Sequence, residues 1–201
     1  MPVLFDWSGG SAATCKLIVE VIDANGDPSK AFFSLSLQAV SSSEKIATQR
    51  ILDFFTDAED GTAEVMLVPG PVYQLTSKTF GSVTIPVATE GLAEINLASI
   101  VAGLLGGVPA AGRCTVYATL LGANGEPMAD ERFTVLPTEL PAVSSDTKII
   151  NSAPVAKLTD VGGQVWFRLA VGVAHRIVSG VLGSLEVKPQ DTTSINMQDL
   201  L

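Results

Sequence analysis

Hydrophobic and polar residues alternate along most of the chain in short runs that turn-forming residues separate. Residues 15–22 are rich in Val, Ile and Leu, and Asn25-Gly26 followed by Pro28 supplies a tight turn through which no helix continues. Runs of this kind recur at roughly 8–12 residue spacing, which is typical of β-sandwiches and barrels. They predict strands at 15–22, 31–39, 46–55, 62–68, 72–77 and 81–89, and then at 115–121, 132–136, 148–150, 155–158, 165–171, 175–179 and 182–187. The pattern therefore predicts an all-β fold, in which only residues 92–105 are compatible with one or two helical turns.

The second half of the chain repeats the first. The stretch from Cys15 to Pro28 matches the stretch from Cys114 to Pro127, with Cys, Ala, Asn, Gly and Pro in register. Further matches follow in the same order: residues 39–42 with 142–145, Thr56-Asp57 with Thr159-Asp160, Gly70 with Gly172, and residues 95–97 with 195–197. A repeat this long indicates duplicated globular domains, because solenoid repeats are roughly 20–50 residues long.

The duplication predicts two tandem β-sandwich domains. We place an N-terminal arm at residues 1–14, the first domain at 15–97, a linker at 98–112 and the second domain at 113–201. The turns that both copies preserve are the predicted structural positions of the fold, because glycine and asparagine supply the positive φ angles of tight turns and proline fixes its own φ. These positions are Asn25, Gly26, Pro28, Gly70, Asn124, Gly125, Pro127 and Gly172.

Composition points to burial against other chains. Only 16% of the residues are charged, against roughly 25% in ordinary soluble domains, and the mean hydropathy is +0.38. Domains of this size leave a large share of their surface exposed, so part of the apolar excess is expected to lie in a homo-oligomer or against other proteins. The net charge of −9 argues against a nucleic-acid partner, whose phosphates attract Lys and Arg.

The sequence gives no sign of export or of a membrane span. The first ten residues lack a basic region followed by an apolar core, so we expect no secretory signal and synthesis in the cytoplasm. The most apolar stretch, residues 97–111, is interrupted by glycines and a proline and is shorter than the roughly 20 residues of a membrane helix. Cys15 and Cys114 occupy matching positions of separate domains, which predicts two buried free thiols.

Each copy resembles the carboxypeptidase regulatory-like domain, a transthyretin-like β-sandwich of the immunoglobulin-like group. The first copy carries the family's opening at residues 21–28, its Thr-Asp…Gly motif at Thr56, Asp57 and Gly61, and its Leu-x-x-Gly-x-Tyr ending at 67–73. The second copy has Gly122 in place of Asp23 and His175 in place of Tyr73. It keeps Gly125, Pro127, Thr159, Asp160, Gly163, Leu169 and Gly172. The resemblance implies an immunoglobulin-like fold that serves as a spacer, an adhesive unit or an assembly surface.

Polar clusters in the turns are expected to be structural. Asp23, Asn25 and Asp27 imitate the start of a calcium loop, but Pro28 stands where that loop needs glycine and Ser34 where it needs a glutamate. The acidic turn at 57–60 is expected to be solvated, because the second copy keeps only Asp160. We therefore predict no metal and no cofactor.

No catalytic constellation stands out. His175 is the single histidine and aligns with Tyr73, which favours a strand position whose polar tip lies near the surface. Its neighbours provide no positioned nucleophile, and no phosphate-binding glycine motif occurs. The protein is predicted not to be an enzyme.

Aromatic residues are the candidate partner contacts. Phe5 and Trp7 lie in the arm, outside both domains, and must dock on this chain, dock on a partner or stay exposed. Trp166 and Arg168 lie on a strand of the second copy, where alternation points one set of side chains outward as contact residues. The alternative is that Trp166 or Phe167 fills the core.

These features favour a non-enzymatic structural protein of a bacteriophage virion. The leading hypothesis is a capsid decoration (cement) protein or a tail, baseplate or fibre-connecting component, with capsid or tail subunits as partners. The alternative is a carbohydrate- or surface-binding adhesive module, for which two or three Trp or Tyr residues on one face would be the signature. In the leading role the chain is a homo-oligomer in the virion that binds neither nucleic acid nor membrane.

Overall fold

The protein forms two compact units, each built around strands. The computed structural model describes residues 3–4, 7–8, 14–39, 46–47, 51–87, 94–104, 112–140, 142–144, 146–191 and 193–201. Unit 1 comprises Met1–Val21, Pro28–Gly107 and Thr147–Ile149, and unit 2 comprises Ile22–Asp27, Val108–Asp146 and Ile150–Leu201. The predicted all-β, two-domain fold is confirmed. The predicted boundaries at 97/98 and 112/113 stay predictions.

The elements follow the predicted order closely. In the first copy they are β1 (Val3–Leu4), β2 (Trp7–Ser8), β3 (Cys15–Ile22), β4 (Phe32–Ala39), β5 (Ile46–Ala47), β6 (Ile51–Phe55), β7 (Thr62–Leu67), β8 (Val72–Ser77), β9 (Gly81–Pro86), β10 (Glu94–Asn96) and helix α1 (Leu97–Leu104). In the second they are β11 (Arg113–Thr119), β12 (Arg132–Pro137), β13 (Ala142–Val143), β14 (Ile149–Ile150), β15 (Val155–Leu158), β16 (Gln164–Ala170), β17 (His175–Ser179), β18 (Gly183–Val187), β19 (Ile195–Asn196) and a final 3₁₀ turn (Met197–Leu200).

Both copies have the same strand topology. In the first, β7, β3 and β10 belong to a six-stranded sheet, and β6-β4-β8-β9 form a four-stranded sheet. In the second, β16, β11 and β19 correspond to the first of these sheets, and β15-β12-β17-β18 to the second. In each copy the last of these three strands, β10 or β19, pairs parallel to its neighbour, whereas β3 with β7 and β11 with β16 are antiparallel. The duplication read from the sequence is therefore a duplication of architecture.

The cores lie between the two sheets of each copy. In unit 2 the core includes Cys114, Val116, Phe133, Phe167 and Ile177, all essentially inaccessible to solvent. Corresponding strand positions of unit 1 hold Cys15, Leu17, Phe33, Val65 and Leu75, which are buried in the same way. Alternation of buried and exposed residues along β6 and along residues 164–169 of β16 fits sheets that face a core on one side.

In each copy the parallel strand, β10 or β19, ends at an asparagine that caps a helical turn. Asn96 Oδ1 accepts a hydrogen bond from the Ala98 N–H at 2.8 Å, and Asn196 Oδ1 accepts one from the Gln198 N–H at 3.1 Å. Such bonds satisfy backbone donors that a helix start leaves unpaired. The residue after each asparagine, Leu97 or Met197, is fully buried.

The two cysteines are free and buried, as predicted. Burial raises the pKa of both thiols, so they stay protonated. Within the described residues, no helix is long and apolar enough to span a membrane.

A buried threonine fastens the same loop in both copies. Thr159 Oγ1 accepts from the Glu131 N–H at 2.9 Å and donates to the Met128 carbonyl at 2.7 Å. Thr56 makes the equivalent pair of bonds with the Ala31 N–H and the Ser29 carbonyl, both at 2.8 Å. Both threonines are almost completely buried. The repeated Thr-Asp motif is therefore a structural latch.

Replacing Thr159 with valine is expected to lower the free energy of unfolding by about 2 kcal/mol, because the valine keeps the shape but leaves a buried N–H and a carbonyl unpaired. Urea denaturation followed by fluorescence measures the change. Thr134→Val on β12 is the control, because Thr134 is only partly buried and the strand tolerates valine. Equal losses in the two variants would contradict the latch.

Candidate functional site

The outward side of β11 and β16 carries two half-exposed aromatic rings. Antiparallel pairing sets Tyr117 directly opposite Trp166, Thr115 opposite Arg168 and Thr119 opposite Gln164. Trp166 is 50% exposed and Tyr117 39% exposed, while Phe167 points into the core and is fully buried. We call these six outward residues of β11 and β16 the Trp166 face. The structure thus separates the alternatives for this strand: Phe167 fills the core and Trp166 and Arg168 lie outside.

The scaffold does not require this aromatic surface. In unit 1 the position of Trp166 holds Glu64, and that of Tyr117 holds Ile18, which pairs with Glu64 across the strands. Lys16 on β3 lies 3.2 Å from Glu64 Oε1 and 2.9 Å from Glu94 Oε1. One copy of the fold therefore carries exposed ion pairs where the other carries exposed rings. An apolar surface that only one copy has developed, on a position open to solvent, is typical of a contact site.

Side chains within unit 2 form hydrogen bonds with backbone groups at the outer edge of β16. The Arg168 N–H donates to Asn25 Oδ1 at 2.8 Å, and Lys157 Nζ donates to the Trp166 carbonyl at 3.1 Å. Arg113 Nη1 donates to the Arg168 carbonyl at 3.0 Å. These three bonds occupy backbone groups that an edge strand would otherwise offer to another chain. A partner would therefore contact the side chains of the Trp166 face, because several backbone groups at the edge of β16 already have hydrogen-bond partners.

Lys157 also places a positive charge beside the rings of Trp166 and Phe167. Its ammonium lies 5.8 Å from the centroid of the Trp166 ring and 5.5 Å from that of Phe167. Cations at such distances are attracted by the ring face. The contact helps to hold the indole of Trp166 against the sheet, so that the face is partly ordered before any partner binds.

The turn that carries Asn25 is built by hydrogen bonds. Asp23 Oδ1 accepts from the N–H groups of Asn25, Gly26 and Asp27 at 2.8, 2.8 and 3.0 Å. Burial raises the pKa of Asp23 even though these bonds favour its charged form. Gly26 has φ of +95°, and a Cβ there would lie 2.2 Å from the Arg113 guanidinium carbon. The residues that imitate a calcium loop thus serve the turn itself.

The other preserved turns have the predicted backbone. Gly70, Gly125 and Gly172 adopt positive φ angles of 103°, 80° and 84°. Asn124 Oδ1 accepts from the Glu126 N–H at 3.1 Å, and Pro127 forms a bridge with Leu121. In the acidic turn, Asp57 and Asp60 accept hydrogen bonds from the N–H groups of Glu59 and Thr62, at 2.7 and 2.8 Å. In the described part of the chain, no cluster of acidic, His or Cys side chains has the arrangement of a metal site.

The predicted near-surface position of His175 is wrong. Its side chain is fully buried, as is that of Tyr73 at the same position of the first copy. His175 Nδ1 lies 2.8 Å from the Val173 carbonyl, while its Nε2 is buried without a hydrogen-bond partner. The Tyr73 hydroxyl, in contrast, bonds to the Val68 backbone at 3.2 Å. Burial lowers the pKa of His175 to about 4, so the imidazole is neutral at physiological pH.

Unit 1 has an apolar surface of its own on the other sheet. Phe32 on β4 and Phe55 on β6 are direct cross-strand partners whose ring centroids are 5.1 Å apart. Both are exposed, as is Ile51 on β6. We call the outward residues of these strands, Phe32, Ser34, Ser36, Ile51, Asp53 and Phe55, the Phe55 face. In unit 2 the aromatic pair is replaced by Arg132 and Leu158.

The N-terminal arm contributes two short strands to unit 1. β1 pairs parallel to β7, with Val3 opposite Val65, and β2 pairs with β5, with Trp7 opposite Ala47. The backbone of Trp7 therefore lies on its own chain. Phe5 lies outside the described residues.

Two of the six residues of the Trp166 face, Trp166 and Arg168, could be predicted from the sequence. Tyr117 was within reach, because the buried Cys114, Val116 and Ala118 alternate with it and fix its outward direction. Phe32 was not, since Phe33 beside it is equally aromatic and the pattern does not say which of the two faces the core. Lys157 acts from a strand of the other sheet, and only the folded chain brings it to Trp166.

Comparison with known proteins yields distant structural neighbours only. No family model matches the chain, and no curated protein matches it in sequence. A streptococcal ancillary pilin is 14% identical, with a TM-score of 0.35 over 93% of this chain and 62% of the pilin. The minor pilin GBS52 of Streptococcus agalactiae is 10% identical, with a TM-score of 0.37 over 90% of this chain and 93% of the pilin. The shaft pilin SpaA of Lactobacillus rhamnosus GG is 9% identical, with a TM-score of 0.32 over 91% and 96%. At such values the pilins' roles do not transfer to this chain.

Proposed function

We propose that this chain is a non-catalytic structural protein that attaches to neighbouring protein subunits, and that these subunits belong to a bacteriophage particle. The observation that carries the proposal is the Trp166 face, where two half-exposed rings and an arginine stand on a rigid strand pair. Tyr, Trp and Arg are the residues most enriched among the energetic anchors of protein interfaces. The low share of charged residues agrees with a surface that is partly covered in use.

The non-catalytic part of the proposal rests on His175. A base must reach the proton it removes, and this imidazole is enclosed in the core of unit 2. We also propose that the two sandwiches are related to carboxypeptidase regulatory-like domains. In that case they serve as rigid spacers between the surfaces that bind neighbouring subunits. In this role the chain is made in the host cytoplasm and ends in the virion, as capsid decoration or as a tail, baseplate or fibre connection.

The virion role is tested on phage particles purified from a lysate that contains the chain. Mass spectrometry across a density gradient is expected to find the chain in the particle fraction, and cryo-electron microscopy is expected to locate it at a repeated position on the head or tail. Recovery of the chain only from the soluble fraction would overturn the virion role.

Attachment is expected to depend on Trp166. Changing Trp166 to alanine should weaken binding to particles that lack the chain by about tenfold or more, because truncation of a central interface aromatic typically costs that much. Val161→Ala is the control, since Val161 is 92% exposed and lies outside the Trp166 face. Co-sedimentation with increasing particle concentration gives both affinities. Unchanged binding of the Trp166 variant would remove the face from the mechanism.

A glycan-binding adhesive module is the second candidate. The register that sets Tyr117 opposite Trp166 on one exposed face favours it, because aromatic side chains stack on the apolar faces of sugar rings. Binding of the chain to an immobilised glycan array, abolished by Trp166→Ala, would select this role over the virion role.

A further inference from the structure

The two copies of the fold have developed different exposed apolar surfaces on different sheets. Unit 2 carries the Trp166 face on its smaller sheet, where unit 1 has ion pairs. Unit 1 carries the Phe55 face on its four-stranded sheet, where the equivalent sheet of unit 2 has Arg132 and Leu158. Each surface is therefore an addition to the shared scaffold. A contact between unlike surfaces of two identical chains needs two different surfaces on each chain, and the Trp166 face and the Phe55 face meet that need.

The charges of the two faces are complementary. The Trp166 face holds one basic residue, Arg168, and no acidic residue. The Phe55 face holds Asp53 and no basic residue. The groove beside Phe55 is lined by the acidic side chains of Asp57, Glu59, Asp60 and Glu64, against a single basic residue, Lys30. A cationic aromatic surface and an anionic aromatic surface attract each other and repel copies of themselves.

The aromatic geometry also fits. The Phe55 ring is 57% exposed and leans on Phe32 at 5.1 Å, with the Lys30 ammonium 4.9 Å from its centroid. The pair thus presents a rigid apolar edge beside an acidic groove. Trp166 is steadied by Lys157 in the same manner. Preordered rings lose little conformational freedom when they are covered, which favours their pairing.

We infer that the Trp166 face of one molecule binds the Phe55 face of a second copy of this chain. The contact joins different surfaces on the two molecules, so one copy keeps a free Phe55 face and the other a free Trp166 face, to which further copies can bind. Such a heterologous contact extends into a ring or a filament instead of stopping at a dimer. The inference rests on the proposed structural role and names a second copy of the chain as the neighbour that covers the Trp166 face, so that copies added to a particle hold one another in place and Trp166→Ala weakens their attachment together.

Sedimentation velocity of the full chain tests the inference at concentrations up to about 1 mM, the dissociation constant of a weak but measurable complex. The wild-type chain is expected to grow beyond the dimer as its concentration rises. Trp166→Glu and Phe55→Glu should each abolish this growth, because a buried unpaired carboxylate is strongly unfavourable. Val161→Glu is the control, since Val161 is 92% exposed and belongs to neither face. It is expected to behave like the wild type.

A mixture of the two variants separates this arrangement from every symmetric one. The Trp166→Glu chain keeps an intact Phe55 face and the Phe55→Glu chain keeps an intact Trp166 face. Their equimolar mixture should therefore form dimers and nothing larger, although neither variant associates alone. Arg168→Glu should weaken association by about tenfold, and adding Asp53→Arg to the same chain should restore it. Circular dichroism establishes that every variant is folded.

Several results would overturn the inference. These are a wild-type chain that stays monomeric, a mixture without dimers, or a single variant that still associates. A monomer that binds a glycan array through Trp166 would assign the face to saccharides instead. A monomer that still enters phage particles would overturn self-association and leave the virion role intact, whereas a chain that associates but stays off the particles would do the reverse.

Discussion

Changing Gly163 to alanine is expected to lower the free energy of unfolding of unit 2 by about 3 kcal/mol. Gly163 has φ of +71°, which costs an ordinary residue about 1–2 kcal/mol. A Cβ there would also lie 2.4 Å from the Leu120 carbonyl oxygen. That oxygen cannot move away freely, because it accepts a hydrogen bond from the Met128 N–H at 3.0 Å, and the Leu120 N–H donates to the Gly163 carbonyl at 2.8 Å.

The matched control is Gly183→Ala. Gly183 has a similar φ of +76°, but a Cβ there would meet no atom within 4 Å. Its replacement is expected to cost only the backbone term, about 1 kcal/mol. Urea denaturation followed by Trp166 fluorescence, in a Trp7→Phe background, reports on unit 2. Equal losses in the two variants would show that the close approach to Leu120 contributes nothing.

The same glycine shows why much of the fold could be predicted from the sequence. Gly61 in the first copy has φ of +72°, and its Cβ would lie 2.2 Å from the Val21 carbonyl oxygen. The two copies therefore keep the same glycine for the same steric reason. The positive φ of such a glycine is indicated by the local turn sequence, whereas its close approach to a carbonyl distant in sequence follows from the tertiary fold. The strand order followed from such turns and from alternation between them.

The surfaces were harder to predict, because nothing local determines them. Alternation assigns Trp166 and Phe167 to opposite sides of β16 but does not say which side is covered. That decision depends on pairing with β11, where Cys114 and Val116 face the core. Lys157 and Asn25 reach β16 from segments distant in sequence, and their hydrogen bonds to it follow only from the tertiary fold.

His175 illustrates a failure of the comparison between copies. Tyr and His share an amphipathic character, which suggested a polar tip in water. The Tyr73 hydroxyl instead finds the Val68 backbone inside the core, and the imidazole at the same position is enclosed with one nitrogen unpaired. A hydroxyl satisfied by buried backbone gives no signal in the sequence that would distinguish it from an exposed one. The second copy therefore has an unpaired buried nitrogen at a position where the first copy has a hydrogen-bonded hydroxyl.

Unit 2 is expected to lose about 3 kcal/mol of stability through His175 alone as the pH falls from 6.5 to 4. Burial lowers the pKa of the folded imidazole from 6.5 to about 4. Within this window the unfolded chain binds a proton that the folded chain does not, so acid favours unfolding. Above the window both states are neutral, and below it both are protonated, so the loss stays constant. Arg113 opposes protonation electrostatically, while the Val173 carbonyl and Glu139 favour it less strongly than burial disfavours it.

Urea denaturation of the Trp7→Phe chain at several pH values between 4 and 7, compared with the His175→Tyr variant, isolates this contribution from that of the carboxylates. Tyrosine is the residue that the first copy places at the same point of the fold, and it does not titrate in this range. The difference in unfolding free energy between the two chains is expected to shift by about 3 kcal/mol in favour of the tyrosine variant as the solution is acidified. His175→Phe serves as a second variant if the tyrosine is not accommodated. Curves that run parallel from pH 7 to 4 would mean that His175 takes up its proton without unfolding, and hence that its buried Nε2 gains a partner which the folded core does not now provide.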